Sequence, residues 1–176
     1  MEVRFVSADL RRFDEVRAEA LALPLFLDAR PTQGALGLVD WRLVGRVSDA
    51  VRRGRFKGAV GEHLLISGRP KLPFDKLFIY GAGAAEDFTE EAYRAATEGL
   101  FCALARAKVR TSVCLLPGRE GGEIEPRRAM ELLVQVLGED PPNHDEVILV
   151  EDGDAPREMA PVIEQARRRV RARRSE

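Results

Sequence analysis

Apolar residues fall into short continuous runs separated by longer stretches with helical spacing, most clearly in the second half of the chain. There LFIYGA (77–82), VCLL (113–116) and VILV (147–150) are apolar at nearly every position. Strands buried on both faces have that character. Between and after them, TEEAYRAATEGLFCALARAK (89–108), RRAMELLVQVLG (127–138) and the segment from Pro156 onward carry apolar residues every three or four positions, as amphipathic helices do. Thr89 stands at a helix start, and Gly138 at a helix stop.

The first half is less regular. EVRFVS (2–7) reads as a strand and LRRFDEV (10–16) as a short helix capped by Asp9. EALALPLFLD (19–28) reads as a buried strand, with Pro24 predicting an edge position or a bulge. LVDWRLVGRVSDAVRRG (38–54) predicts one helix with Leu38, Trp41, Leu43 or Val44, Val47 and Val51 at helical spacing, stopped by Gly54. A further strand is expected near 62–67. Strands alternating with helices call for parallel pairing through right-handed crossovers. The hairpin-like first half makes the sheet mixed. The expected fold is therefore α/β, a three-layer αβα arrangement with a mixed, mostly parallel sheet. The main domain is expected over 1–155, with an arginine-rich helix over 156–176.

Composition narrows the function classes. The chain has 176 residues, a formal net charge of −1, 45% hydrophobic and 32% charged residues. A near-zero charge does not point to a nucleic-acid or membrane partner for the chain as a whole. No run approaches the roughly 20 apolar residues that span a bilayer, and the N-terminus lacks an apolar signal core, so a soluble, cytoplasmic protein is expected. Cys102 and Cys114 both lie among apolar neighbours and read as small core hydrophobes, with no disulfide framework.

No catalytic residue and no metal ligand is assigned. The serines at 7, 48, 67, 112 and 175 lie outside any nucleophile elbow. His63 and His144 are the only histidines, and neither sits in a metal-binding spacing. Residues GAGAAEDF (81–88) and PGREGGE (117–123) are glycine-bearing loops expected at the carboxyl ends of parallel strands, where α/β sheets place their ligands. Gly81, Gly83, Thr89, Gly118, Arg119, Gly121 and Gly122 are the candidate ligand residues. GAGAAE is neither a dinucleotide fingerprint nor a P-loop, and Glu86, Asp87, Glu120 and Glu123 would repel phosphate unless Arg119 offsets them. A pair of tight turns leaving parallel strands is the plainer reading of these loops. Arg167, Arg168, Arg169, Arg171, Arg173 and Arg174 are candidates for sequence-independent DNA contact, or else a solvated helix end.

Taken in order, EALALPLFLD, GRFKGAVGEHLLISG and DKLFIYGAGAAEDFTEEAYRAATEGL resemble the amino-terminal domain of the leucyl aminopeptidase (cytosol aminopeptidase) family, over roughly residues 15–150. Phe56, Lys57, Gly58, Gly61 and Glu62, then Tyr80, Gly81, Gly83, Phe88 and Thr89, carry the likeness. The resemblance implies a macro-domain-like fold and a role in assembling oligomers, with self or another protein as partner. It places catalysis in a separate di-zinc domain with an NTDAEGR signature that has no match here, so aminopeptidase activity is not expected and no cofactor is assigned. Macro domains bind ADP-ribose through an asparagine-containing loop that this chain lacks, its one asparagine being Asn143. The kinship nevertheless suggests a nucleotide or ADP-ribose pocket as an alternative, and DNA binding by relatives of the family suggests another.

Overall fold

The computed structural model describes residues 2–30, 32–138 and 144–174, with no account of the side chains of 173 and 174. Asn143 therefore lies outside the described residues. Among the described residues six strands and six helices follow in the order β1 (Glu2–Val6), α1 (Leu10–Glu15), β2 (Ala20–Phe26), α2 (Gly34–Arg42), α3 (Arg46–Arg52), β3 (His63–Ser67), β4 (Lys76–Gly83), α4 (Glu90–Arg106), β5 (Thr111–Cys114), α5 (Pro126–Leu137), β6 (Glu146–Val150) and α6 (Ala155–Arg174). They form one sheet in the order β1-β6-β5-β2-β4-β3. Every pairing is parallel except β3 against β4. The sheet is mixed and mostly parallel, as its apolar strands require.

Two cores flank the sheet. On one face Tyr93, Leu100 and Leu104 of α4, Met130 and Leu133 of α5 and Met159 and Ile163 of α6 pack over Phe78, Tyr80 and Leu149. On the other, Phe13 of α1, Leu36 and Val39 of α2 and Val47 of α3 pack over Leu21, Leu23, Ile79 and Ile148. Alternate strand residues feed opposite cores, which is why these strands are apolar throughout. Local signals set the helix ends. Asp9 accepts from Arg11 N and Arg12 N, Thr89 Oγ1 accepts from Ala92 N, and Pro126 opens α5.

Three expectations are corrected. Pro24 lies in a central strand, between β4 and β5, not at an edge. The Leu115 N–H donates to the Ala22 carbonyl, so the next rung of a parallel ladder would run from the residue 24 nitrogen to the Leu115 carbonyl. Proline has no such hydrogen. The Tyr80 hydroxyl donates to that carbonyl instead, at 2.6 Å, and the ladder between β2 and β5 stops there. The β2–β4 register does slip, between Leu25 and Phe26.

The expected helix over 38–54 is two helices. The chain breaks at Val44 and Gly45, both left-handed (φ 59° and 75°). Buried Asp40 fastens the break by accepting from Val47 N at 2.7 Å and Ser48 N at 3.2 Å, at the start of α3. The Leu38, Trp41 and Val44 stripe faces solvent, while Leu36, Val39 and Leu43 fill the core. Cys102 is exposed rather than a core residue, because it lies on the outer side of α4; Cys114 is buried, and burial pushes its thiol up to about 12.

His144 is enclosed by the fold. It is 6% exposed, its Nε2 shares a hydrogen bond of 2.8 Å with the Ser112 hydroxyl, and its ring meets Phe101 edge-on. Burial lowers its pKa below the ordinary value near 6.5, against smaller opposing effects from the Val109 main chain and Asp145. Below pH about 6.5 the unfolded chain then takes up a proton that the folded chain refuses, so stability falls with pH from that point until the depressed value is passed. Urea denaturation across this range should show the loss in the native chain and a shallower one in His144→Gln; identical slopes would contradict the assignment.

Candidate functional site

Where β2 and β5 part beyond Pro24, a pocket of about 410 Å³ opens at the carboxyl ends of the strands. Its walls are Pro24, Leu25 and Phe26 from β2, Gln33, Gly34 and Leu36 from the start of α2, Ala85 after β4, and Leu116, Gly118, Glu120, Gly121 and Glu123 after β5. This is the position at which open α/β sheets hold ligands. The two glycine loops read from the sequence do converge here, contributing Ala85 from one and Gly118 and Gly121 from the other. A second cavity, of about 230 Å³, lies beside it, lined by Ala8, Leu115, Arg119, Glu120, Val150, Glu151 and Asp152.

The candidate ligand residues have intramolecular contacts of their own. Gly81 lets the loop before β3 cross the sheet: a Cβ there would fall on the Ala59 carbonyl oxygen. Gly81 N donates to the Glu62 carbonyl and Gly83 N to the Gly58 carbonyl, at 2.9 and 3.0 Å. Gly118 (φ 74°) lies against the Phe88 ring, which packs edge-on against Phe26 with centroids 5.3 Å apart. A Cβ on Gly121 would overlap the Glu123 carboxylate. Gly122 sits at φ 80° in open space, and Thr89 caps α4.

Arg119 is committed as well. Its guanidinium meets the Glu151 carboxylate at 2.7 and 3.0 Å and also donates to the Ile124 carbonyl. Both side chains of the pair are nearly enclosed, 9% and 5% exposed.

Main-chain N–H groups at this rim are likewise filled by the chain's own acids. Glu62 Oε2 accepts from Lys57, Gly58 and Ala59 at 2.9, 2.9 and 3.1 Å, and these bonds, that from Lys57 first, hold its carboxyl below the usual range. Asp28 accepts from Ala85 and Glu86 at 3.0 and 3.3 Å, and the Ala85 bond foremost lowers its pKa. Rows of N–H groups of this kind are general anion receptors.

Glu120 completes the set at the first turn of α2, accepting from Ala35 N at 2.7 Å. Burial raises its pKa and Asp152 adds to the shift, with the Ala35 bond opposing. Gly34 (φ 56°) makes the approach possible, since a Cβ there would coincide with the Glu120 carboxylate. Sequence reasoning placed Glu120 in the right loop but missed its partner. The only hint was its place among glycines.

Elsewhere, Arg167 to Arg171 lie on α6, where Arg167 pairs with Glu164 at 3.3 Å and Arg169 and Arg171 are also engaged. The side chains of Arg173 and Arg174 lie outside the described residues. His63 is exposed, its Nδ1 at 3.1 Å from the Gly61 carbonyl oxygen. Among the described residues no three His, Cys, Asp or Glu side chains gather as a metal site would need, and no helix is long and apolar enough to cross a membrane.

Comparison with solved structures places this architecture among macro domains. A Trypanosoma brucei macrodomain in complex with ADP-ribose superposes with a TM-score of 0.67 over 92% of this chain and 68% of its own, at 13% identity. A tomato leucine aminopeptidase mutant gives a TM-score of 0.64 over 91% of this chain and 35% of its own, at 14% identity. At such identities the likeness is one of fold. In sequence, a probable cytosol aminopeptidase of Synechocystis is 31% identical over 104 residues, which is 59% of this chain and 21% of that protein. The chain thus spans about a fifth of the length of the curated relatives it matches. The family model described as the cytosol aminopeptidase family, N-terminal domain, matches residues 22–139. On that match, the chain belongs to the cytosol aminopeptidase family, joined to it through the amino-terminal domain.

Proposed function

We propose that this domain is a non-catalytic module that works by gripping another protein in the cytoplasm, a second copy of the chain in the first instance. One observation carries the reading. Leu38, Trp41 and Val44 recur at three-residue spacing on the solvent side of α2 and the break after it, with Trp41 77% and Val44 81% exposed. Val44 also shares a groove with the exposed edge-strand residue Leu65. A β-branched residue in the left-handed region is strained, at about 1–3 kcal/mol. Val44 thus spends stability to present an apolar side chain that the fold does not bury. Tryptophan is the residue most enriched among energetic centres of protein interfaces.

The family relation supports the same reading, because the matched segment is the amino-terminal domain. Size-exclusion chromatography with light scattering tests it. The native chain should form a homo-oligomer, and Trp41→Glu should weaken that association by about 30-fold or more, the equivalent of losing an interface centre of about 2 kcal/mol. A monomeric native chain that captures no partner, or a Trp41→Glu chain that assembles equally well, would contradict it.

A second reading, a macro-like pocket for a nucleotide or ADP-ribose derivative, is favoured by the 410 Å³ crevice at the carboxyl ends of β2 and β5. The acids that occupy its N–H groups weigh against it.

A further inference from the structure

β3 is an outermost strand of the sheet, paired with β4 on one side only. The hydrogen bonds at its two ends fix which main-chain groups are left over. Gly81 N donates to the Glu62 carbonyl and Gly68 N to the Asp75 carbonyl, and bonded pairs alternate along an antiparallel ladder. Leu64 and Ile66 therefore bond to β4, while the N–H and C=O groups of His63, Leu65 and Ser67 point away from it, out of the sheet edge. Among the described residues one of these groups is answered: the Ser67 carbonyl accepts from Arg46 at 3.4 Å. β3 carries no proline, lysine or carboxylate to blunt that edge.

Beside the edge runs a groove of about 700 Å³, into which α3 and the turn after it bring Arg46, Arg52 and Arg55 against one carboxylate, Asp49. Asp49 is already paired with Arg52 and with Arg53, at 2.5 and 2.8 Å. Among the described residues neither Arg46 nor Arg55 pairs with an acid.

We propose that the β3 edge is a docking strip for an extended acidic peptide of another protein, which adds as a further strand and lays its carboxylates on the arginines of α3. Open main-chain groups supply the register, and the unmatched positive charge supplies the preference. Period-two alternation specifies the peptide further. Leu64 and Ile66 turn towards the core under α3, so side chains of the added strand on that face meet the arginines. Those on the other face lie beside Leu65, which is 55% exposed. The fitting sequence alternates acidic with apolar residues. Charge also weighs against the simplest rival, β3 of a second copy. A two-fold axis through this edge would set both α3 helices on one face of a joined sheet, arginines against arginines. The inference goes beyond self-association through Trp41 and does not need it.

Fluorescence anisotropy with a labelled synthetic peptide of alternating valine and glutamate tests the proposal. The native chain should bind it at least about tenfold more tightly than the same peptide with lysine in place of glutamate. Arg46→Glu combined with Arg55→Glu should weaken binding by about tenfold or more, because two exposed charges are reversed. Leu65→Pro removes an outward N–H but no bond to β4, so circular dichroism should stay native while peptide binding is lost. If that variant does not fold, hydrogen exchange on the native chain decides: the peptide should slow the Leu65 amide and leave Leu64 and Ile66, already in the ladder, unchanged. No binding, equal affinity for the two peptides, or no added protection at Leu65 overturns the docking strip. Trp41→Glu should bind the peptide as the native chain does; lost binding there would place the peptide on the α2 stripe and overturn it too. Light scattering on the same samples keeps the two readings apart. Assembly without peptide binding sinks this inference alone, and peptide binding without assembly leaves it standing while self-association falls.

Discussion

Arg119→Ala is expected to be among the most destabilising single substitutions in this protein, by about 3–5 kcal/mol, because it strands the Glu151 carboxylate in a nearly closed site. The guanidinium does three things at once: it meets both oxygens of Glu151 and donates to the Ile124 carbonyl, so it ties the loop after β5 to the end of β6. Losing it costs the charge pair, the capped carbonyl and the anchoring of residues 117–125. A paired replacement, Arg119→Met with Glu151→Leu, removes both charges together and should recover much of the loss, since apolar substitutes for a buried ion pair are often tolerated. Urea midpoints of the single and double variants measure this directly. A single-variant loss below about 1 kcal/mol would mean that the pair is solvated and worth no more than a surface bridge.

The second large effect is expected at Gly81, where alanine should cost about 2–3 kcal/mol as an overpacking substitution. The atoms that an added Cβ would meet are main-chain atoms of Gly58 and Ala59, which cannot rotate away as a side chain could. Relief must come from lifting the loop over 56–62 off the end of β4. That would break the hydrogen bonds from Gly81 N to Glu62 O and from Gly83 N to Gly58 O. Hydrogen exchange at these two amides should therefore accelerate in Gly81→Ala along with the fall in melting temperature. Unchanged exchange with unchanged stability would show that the loop does not depend on the close crossing.

The motif that carries the family likeness acquires a physical meaning here. Gly58, Gly61 and Glu62 build a loop whose N–H groups close on the Glu62 carboxylate, and Gly81 is the gap through which that loop passes. Phe88 fills the space left by Gly118, further along the same rim. These residues hold the carboxyl-end loops together, whether or not a ligand comes to them.

What the sequence made legible was whatever repeats locally. β4 and β6 are apolar at consecutive positions because both of their faces are covered, and α4 and α5 show their buried side in the spacing of Leu100 and Leu104, and of Met130 and Leu133. The failures are of another kind. The run from Leu38 to Val51 keeps helical spacing straight through a left-handed break, and its exposed apolar residues imitate a core face because they serve none. Pro24 fits a central strand only through the Tyr80 hydroxyl, which reaches the carbonyl that a proline cannot serve. The glycine loops were found at the right end of the sheet, but their contents depend on partners 57 residues apart for Asp28 and Ala85 and 85 apart for Glu120 and Ala35. No local pattern encodes such pairings.

Trp41 is the only tryptophan of the chain and sits at the centre of the proposed contact stripe, so its fluorescence reports on that surface without a label. Over a roughly hundredfold rise in protein concentration, mass action should drive association. Emission should then move from the fully hydrated range to shorter wavelength, with acrylamide quenching reduced in step with the mass from light scattering. Emission that stays that of a water-exposed indole while the protein associates would place the interface elsewhere and contradict the account.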